Sequence, residues 1–169
     1  MSLILQCIIA CILFTAIILP PLYKNPITQI MSYPTAIRKR VEELPQYADV
    51  IKNVEKKHMS KKIAAAFVFS FVLSIVAYLS GARTFLTAFY HVFILFFVVN
   101  IYDMLVLDIG LFCHSKKSII PGTEDMIHEY RKPWHHIRGA LIGILIGSVV
   151  ASLSASIICG YNLISIMIH

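Results

Sequence analysis

The sequence predicts an all-α membrane protein with four transmembrane helices and amphipathic helices on the cytosolic face between spans one and two. Three observations carry that prediction. Hydrophobic residues make up 58% of the chain and charged residues only 14%, against about 25% charged in a soluble domain. Four apolar runs each approach the ~20 residues that cross a ~30 Å hydrocarbon core at ~1.5 Å per residue. The basic residues, which give a net charge of +6, gather between those runs. That pattern reads as topogenic charge facing anionic lipid of the cytosolic leaflet, and not as a nucleic-acid footprint.

The first span is expected at 3–19, LILQCIIACILFTAIIL, ended by Pro20 and Pro21. It has no basic residue before it and Lys24 after it, so it reads as a retained anchor and not as a cleaved signal peptide. Cys7 and Cys11 share a helix face as packed thiols. With no CxxC pair in the chain, they join Cys113 and Cys159 as small apolar fillers. The loop 20–62 is patterned. Pro34 opens a helix with Ile37, Val41 and Leu44 on one face, and Pro45 opens a second with Tyr47, Val50, Ile51 and Val54 at helical spacing. Basic residues cover the remaining faces, as in helices that lie in the headgroup layer. Span two is expected at 63–80, span three at 84–108 and span four at 137–159, all in one integral domain over 1–169.

Orientation follows from charge. Nine Lys/Arg lie between Pro20 and Lys62, five more between Phe112 and Arg138, and Arg83 stands alone in the turn between spans two and three. The positive-inside rule assigns loops 20–62 and 112–136 to the cytosol and both termini to the other side. Trp134 precedes span four at the depth of an interfacial aromatic.

Three groups of residues invite a functional reading. Asn100, Asp103 and Asp108 enter an otherwise apolar span. Asp103 lies about 28 Å and Asp108 about 36 Å along the helix from Thr84. At ~100° per residue the two acids point about 140° apart, with His114 within ~20° of Asp103. They thus form a broad inward-looking arc, either bonding across to other helices or acting as a working site. The second group is the loop after Cys113. Thr123 is placed to cap a short helix from Glu124 to about Arg131, on which Glu124 and His128 share a face. Pro133 then breaks the helix and brings His135, His136 and Arg138 to the membrane edge. Asp103, Glu124 and His128 are the weakly supported metal-ligand candidates; no metal motif is present and no cofactor is specified. The third group is the ridge Gly139, Gly143, Gly147, Ala151, which admits a second backbone at close range, with Ser148, Ser152 and Ser156 beside it as hydroxyls able to bond across helices. His91, apart from these groups, reads as a packing histidine.

The strings N100-x-x-D103-x-x-x-x-D108, P121-G122-T123-E124 and H136-x-R138-G139 resemble a family of small bacterial multi-pass membrane proteins. The resemblance covers the second half of the chain and implies an inner-membrane protein, without a reaction or ligand.

The expected architecture brings the ends of spans three and four against the loop after Cys113, in one cytosol-side cavity. There the acids and histidines would handle protons or cations in transport or membrane enzymology. The alternative is a scaffold or accessory subunit that docks span four on a second copy or on a larger membrane complex. Reporter fusions at residues 40 and 125 are expected to report the same cytosolic compartment, with fusions at both ends of the chain outside it. Opposite placement of 40 and 125 would remove the shared face.

Overall fold

The computed structural model describes residues 2–168, which contain helices and turns and no strand. Four helical stretches are long and apolar enough to cross a membrane: Leu3–Lys24, Pro45–Leu79, Phe85–His114 and Trp134–Ile168. The chain is a multi-pass membrane protein.

Helix α1 (Leu3–Lys24) starts at Ser2, whose hydroxyl accepts the Leu5 amide, and runs through Pro20 and Pro21 instead of ending there. The prolines remove two donors, but their fixed φ suits a helix. Burial of Leu22 among loop residues holds the last turn. Helix α2 spans Thr35–Glu42. The helix expected to start separately at Pro45 is one turn that continues into α3 (Ala48–Leu79), because no glycine or proline interrupts residues 48–79. Helix α4 (Phe85–Tyr102) opens on a capping box between Thr84 and Thr87. After a loop that contains the short α5 (Ile127–Tyr130), α6 runs from Trp134 to Ile168.

Helix α6 is the centre of the bundle. It packs on both α3 and α4, and 33% of its most apolar window is buried, against 11% for the peripheral α1. Ala77, Ala88, Val92, Val150, Ala151, Ala155 and Ile158 form the core between these helices. Their small side chains bring the backbones close enough for dispersion to hold them where lipid offers no hydrophobic drive. The expected line of cross-helix hydroxyls is corrected. Ser148, Ser152 and Ser156 each donate to the carbonyl four residues back on their own helix, an acceptor always within reach. Ser154, buried, is the serine that crosses, donating to the Ser70 carbonyl at 2.9 Å.

At the basic end the two loops fold into a second core of Ile30, Tyr33, Ile37, Val41, Phe112, Ile120 and Tyr130. The apolar face of α2 is therefore covered by protein and not by the headgroup layer. Tyr33 donates to the Ser118 carbonyl at 2.8 Å and Tyr47 to the Pro121 carbonyl at 3.2 Å. Burial, with Tyr130 beside it, pushes the Tyr33 hydroxyl far above its ordinary pKa. Gly122 turns the chain at φ +91°, and a Cβ there would meet Leu44 at 2.9 Å.

Thr123 does not cap a helix. A tighter turn (Glu124–Met126) intervenes before α5, and the Thr123 side chain turns inward, fully buried. Its hydroxyl donates to the Ile120 carbonyl and accepts from Tyr130, which in turn accepts the Ile120 amide at 3.0 Å. Burial raises the Tyr130 pKa, although the Ile120 amide opposes the shift.

Replacing Tyr130 with Phe leaves the Ile120 amide and the Thr123 hydroxyl without that partner inside the core. The expected cost is about 1–3 kcal/mol, read as a lowered midpoint of thermal unfolding in detergent. An unchanged midpoint would show that this network does not tie the loop layer.

Candidate functional site

The site is made by a change in helix geometry. After Tyr102 the chain of α4 widens into a π-helix over Asp103–Leu111. An i→i+5 turn returns residues five apart to nearly the same side, so Asp103 and Asp108 do not diverge by the angle that α spacing predicts. Both line one cavity of about 780 Å³. Gly110 fits this turn: a Cβ there would lie 3.2 Å from the Leu105 carbonyl, five residues back.

Helices α1 and α6 both pack on α4 and leave the cavity between them. Phe14 and Ile18 of α1 and Ile142 and Ile146 of α6 form its apolar wall, while residues 31–36 and the start of α6 close the basic end. Ile142 and Ile146 are both exposed.

Pro133 ends the preceding segment, so α6 starts at Trp134 and its first turn carries both histidines. His135 reaches the Ser32 carbonyl at 3.1 Å, tying α6 to the first loop. His136 is 4% exposed. Its Nδ1 donates to Asp108 Oδ2 at 3.0 Å, and its ring stands edge-on to Phe112, with centroids 5.1 Å apart. His136 Nε2 is buried and has no hydrogen-bond partner. Asp103, half-buried, makes no hydrogen bond or ion pair among the described residues, and lies within electrostatic reach of Asp108 and His136.

One turn deeper, Asn100 donates from Nδ2 to the Ala140 carbonyl at 2.9 Å. A Cβ on Gly143 would overlap Asn100 Oδ1, and one on Gly147 would sit 2.6 Å from Phe96 Cδ1. The small-residue ridge thus receives α4 of the same chain, and Ala151 is fully buried on the same ridge. Gly139 is different: it lines the cavity and nothing lies within 4 Å of where its Cβ would be.

Of the residues singled out from the sequence, Asn100, Asp103, Asp108, His135, His136, Arg138, Gly139 and Gly143 line the cavity. His114, Glu124 and His128 do not. His114 Nδ1 donates to the Ile109 carbonyl at 2.9 Å and Glu124 accepts the Gly122 amide at 2.9 Å. His128 has its side chain 84% exposed, 3.9 Å from Glu129. The tight turn at Glu124–Met126 breaks the helical spacing that would have put Glu124 and His128 on one face. Among the described residues no group of three or more His, Cys, Asp or Glu is arranged to hold a metal ion.

The cavity also has members that spacing did not reveal. Lys62 of α3, Glu129 and Lys132 line it. Lys132 pairs with Glu129 and holds that carboxyl below the usual range. Cys113, grouped above with the apolar fillers, interacts with His136. A thiol, an imidazole and a carboxylate in sequence form a nucleophilic triad when the thiol is open to substrate. Here Cys113 is 6% exposed in the loop core and does not line the cavity. All four cysteines are free. Toward the other end of the bundle, His91 donates to Gln6 Oε1 and Gln6 Nε2 donates to Ser80, both at 2.8 Å, which accounts for His91 as a packing residue.

No protein-family model, curated protein or solved structure matches this chain. The functional reading rests on the geometry.

Gly143→Ala is expected to push the Asn100 amide off the Ala140 carbonyl and destabilise the fold by about 1–3 kcal/mol, measured by thermal unfolding in detergent. Gly139→Ala, whose methyl meets open space, should leave the midpoint unchanged. Equal behaviour of the two would break the assignment of the ridge to α4.

Proposed function

We propose that this is a bacterial inner-membrane protein with both chain ends outside, and that its cavity is a one-sided acid–base site working on a membrane-borne substrate at the cytosolic leaflet. The observation that carries the reading is the Asp108–His136 pair. A carboxylate that accepts from Nδ1 holds the imidazole in the tautomer whose Nε2 lone pair is free to take a proton. That Nε2 is buried and makes no hydrogen bond, although the Cys113 thiol lies near the ring. A buried polar atom without a hydrogen bond is costly unless something else compensates. Asp103, one π turn from Asp108, is a second carboxyl able to return or accept a proton. The one-sided arrangement favours chemistry over conduction. Beyond Asn100, Phe96, Leu95 and Val92 pack the interior toward the other end of the bundle, and no polar side chain of α4 continues from Asn100 until His91.

The scaffold reading has less to rest on, since Gly143 and Gly147 of the ridge receive Asn100 and Phe96 of the same chain. Anionic lipid of the cytosolic leaflet remains the expected neighbour of the lysines at 52–62.

The test compares lipid extracts, by mass spectrometry, from cells expressing the wild-type chain or variants at equal membrane level. Asp108→Asn and His136→Gln are each expected to abolish a change in the extract that wild type produces, and Asp125→Asn, outside the cavity, to preserve it. Identical extracts from all strains would overturn the reading.

A further inference from the structure

The cavity is too amphipathic for a small polar substrate. One wall is Phe14, Ile18, Ile142 and Ile146, continuous with the exposed apolar surface of α6. The cavity's charged lining includes Asp103, Arg138 and Lys62. Those three are set apart from the other charged side chains of the lining. Asp108 is paired with His136 and Glu129 with Lys132, whereas Asp103, Arg138 and Lys62 have neither an ion pair nor a hydrogen bond among the described residues. One half-buried carboxylate and two exposed cations are thus unpaired along the cavity lining. Gly139 adds open space where a side chain would otherwise fill the space beside Arg138.

An occupant must then offer a cation to Asp103, an anion to Arg138 and Lys62, and hydrocarbon to the isoleucines. A free phosphate or a metal ion satisfies one of these demands. A purely anionic headgroup satisfies Arg138 and Lys62 and is repelled by Asp103. A quaternary ammonium has no N–H to donate to the carboxylate. The volume of about 780 Å³ lies within the usual range for ligand pockets, about 300–1,000 Å³. It suits a headgroup with the first part of its chains, the remainder leaving between α1 and α6 into the bilayer.

We propose that the cavity binds one phospholipid with a primary-amine headgroup, a phosphoethanolamine lipid, its ammonium at Asp103, its phosphate at Arg138 and Lys62, and its chains along Ile142 and Ile146. The proposal deepens the acid–base reading and rests on the same cavity: the ammonium would lie beside the Asp103, Asp108 and His136 groups that handle protons there. It names a bound species and no reaction step.

The experiment is native mass spectrometry of the full-length protein in detergent, titrated separately with palmitoyl-oleoyl phosphatidylethanolamine, phosphatidylglycerol and phosphatidylcholine. Wild type is expected to retain phosphatidylethanolamine about tenfold better than the other two. Asp103→Asn should abolish that preference, and Arg138→Gln should weaken all three lipids. Gly139→Leu should exclude all three while leaving the thermal midpoint in place, which separates loss of the cavity from loss of the fold. An excess of soluble phosphoethanolamine should not displace the lipid; displacement by it would show that the chains contribute nothing and would overturn the lipid assignment. Equal retention of the three lipids by wild type, or a preference that survives Asp103→Asn, would also overturn it. Selective binding with identical cell extracts removes the acid–base reading alone, and altered extracts without selective binding remove this proposal alone.

Discussion

A helix surrounded by hydrocarbon must keep its own backbone hydrogen bonds, because no water is present to replace them; irregular backbone at membrane depth survives only where protein covers it or a cavity admits water. The π-helix at Asp103–Leu111 meets that condition, and the register of the bundle shows what it does. Helices α4 and α6 run antiparallel. Phe96 meets Gly147 and Asn100 meets Gly143, a four-residue step matched by a four-residue step. Asp108 then meets His136, so eight residues of α4 pass against seven of α6. The wide turn absorbs the extra residue. An ordinary α turn there would carry Asp108 off the α6 face, leaving the buried histidine without its carboxylate.

That pair in turn explains how the loops are fastened. His136 stands against Phe112, which also contacts Tyr33 and Tyr130, so the last residues of the α4 segment, the first turn of α6 and both loops share one aromatic junction. Tyr33 and Tyr130 then spend their hydroxyls on loop backbone groups. These polar atoms at the edge of an apolar bundle are satisfied by other protein atoms, and this is the condition under which a buried polar network specifies one arrangement.

Much of this was legible in the sequence, for identifiable reasons. Length and hydropathy suffice for four spans, since the bilayer sets both, and fourfold spacing of small residues suffices for a packing ridge. The shared location of the two loops followed from charge alone. The relation of Asp103 to Asp108 was not legible, because an α-helical wheel assumes the very geometry that changes at Asp103; Gly110 in the midst of the run was a faint sign of it. The apolar stripe of α2 was visible, but a stripe looks the same whether lipid or protein covers it. Helix α1 passing through Pro20 and Pro21 depends on Leu22 finding a core about a hundred residues away in Ile120 and Tyr130, which no local rule contains. The positions of Lys62 in the cavity lining and of Cys113 near His136 likewise depend on how helices rotate.

The ridge on α6 shows how little a spacing rule says about use. Gly139, Gly143 and Gly147 are identical to a pattern reader, yet their surroundings differ. At Gly143 and Gly147 the missing side chain is replaced at once by Asn100 and Phe96, so these glycines are spent on helix contact. At Gly139 nothing replaces it. The position lies between the unpaired Arg138 and the Ala140 carbonyl that holds Asn100, where any side chain would project into the cavity. In a bundle otherwise packed by small residues, a bare stretch of helix beside unspent charge is more economically explained by something that enters and leaves than by packing, since packing would have filled it.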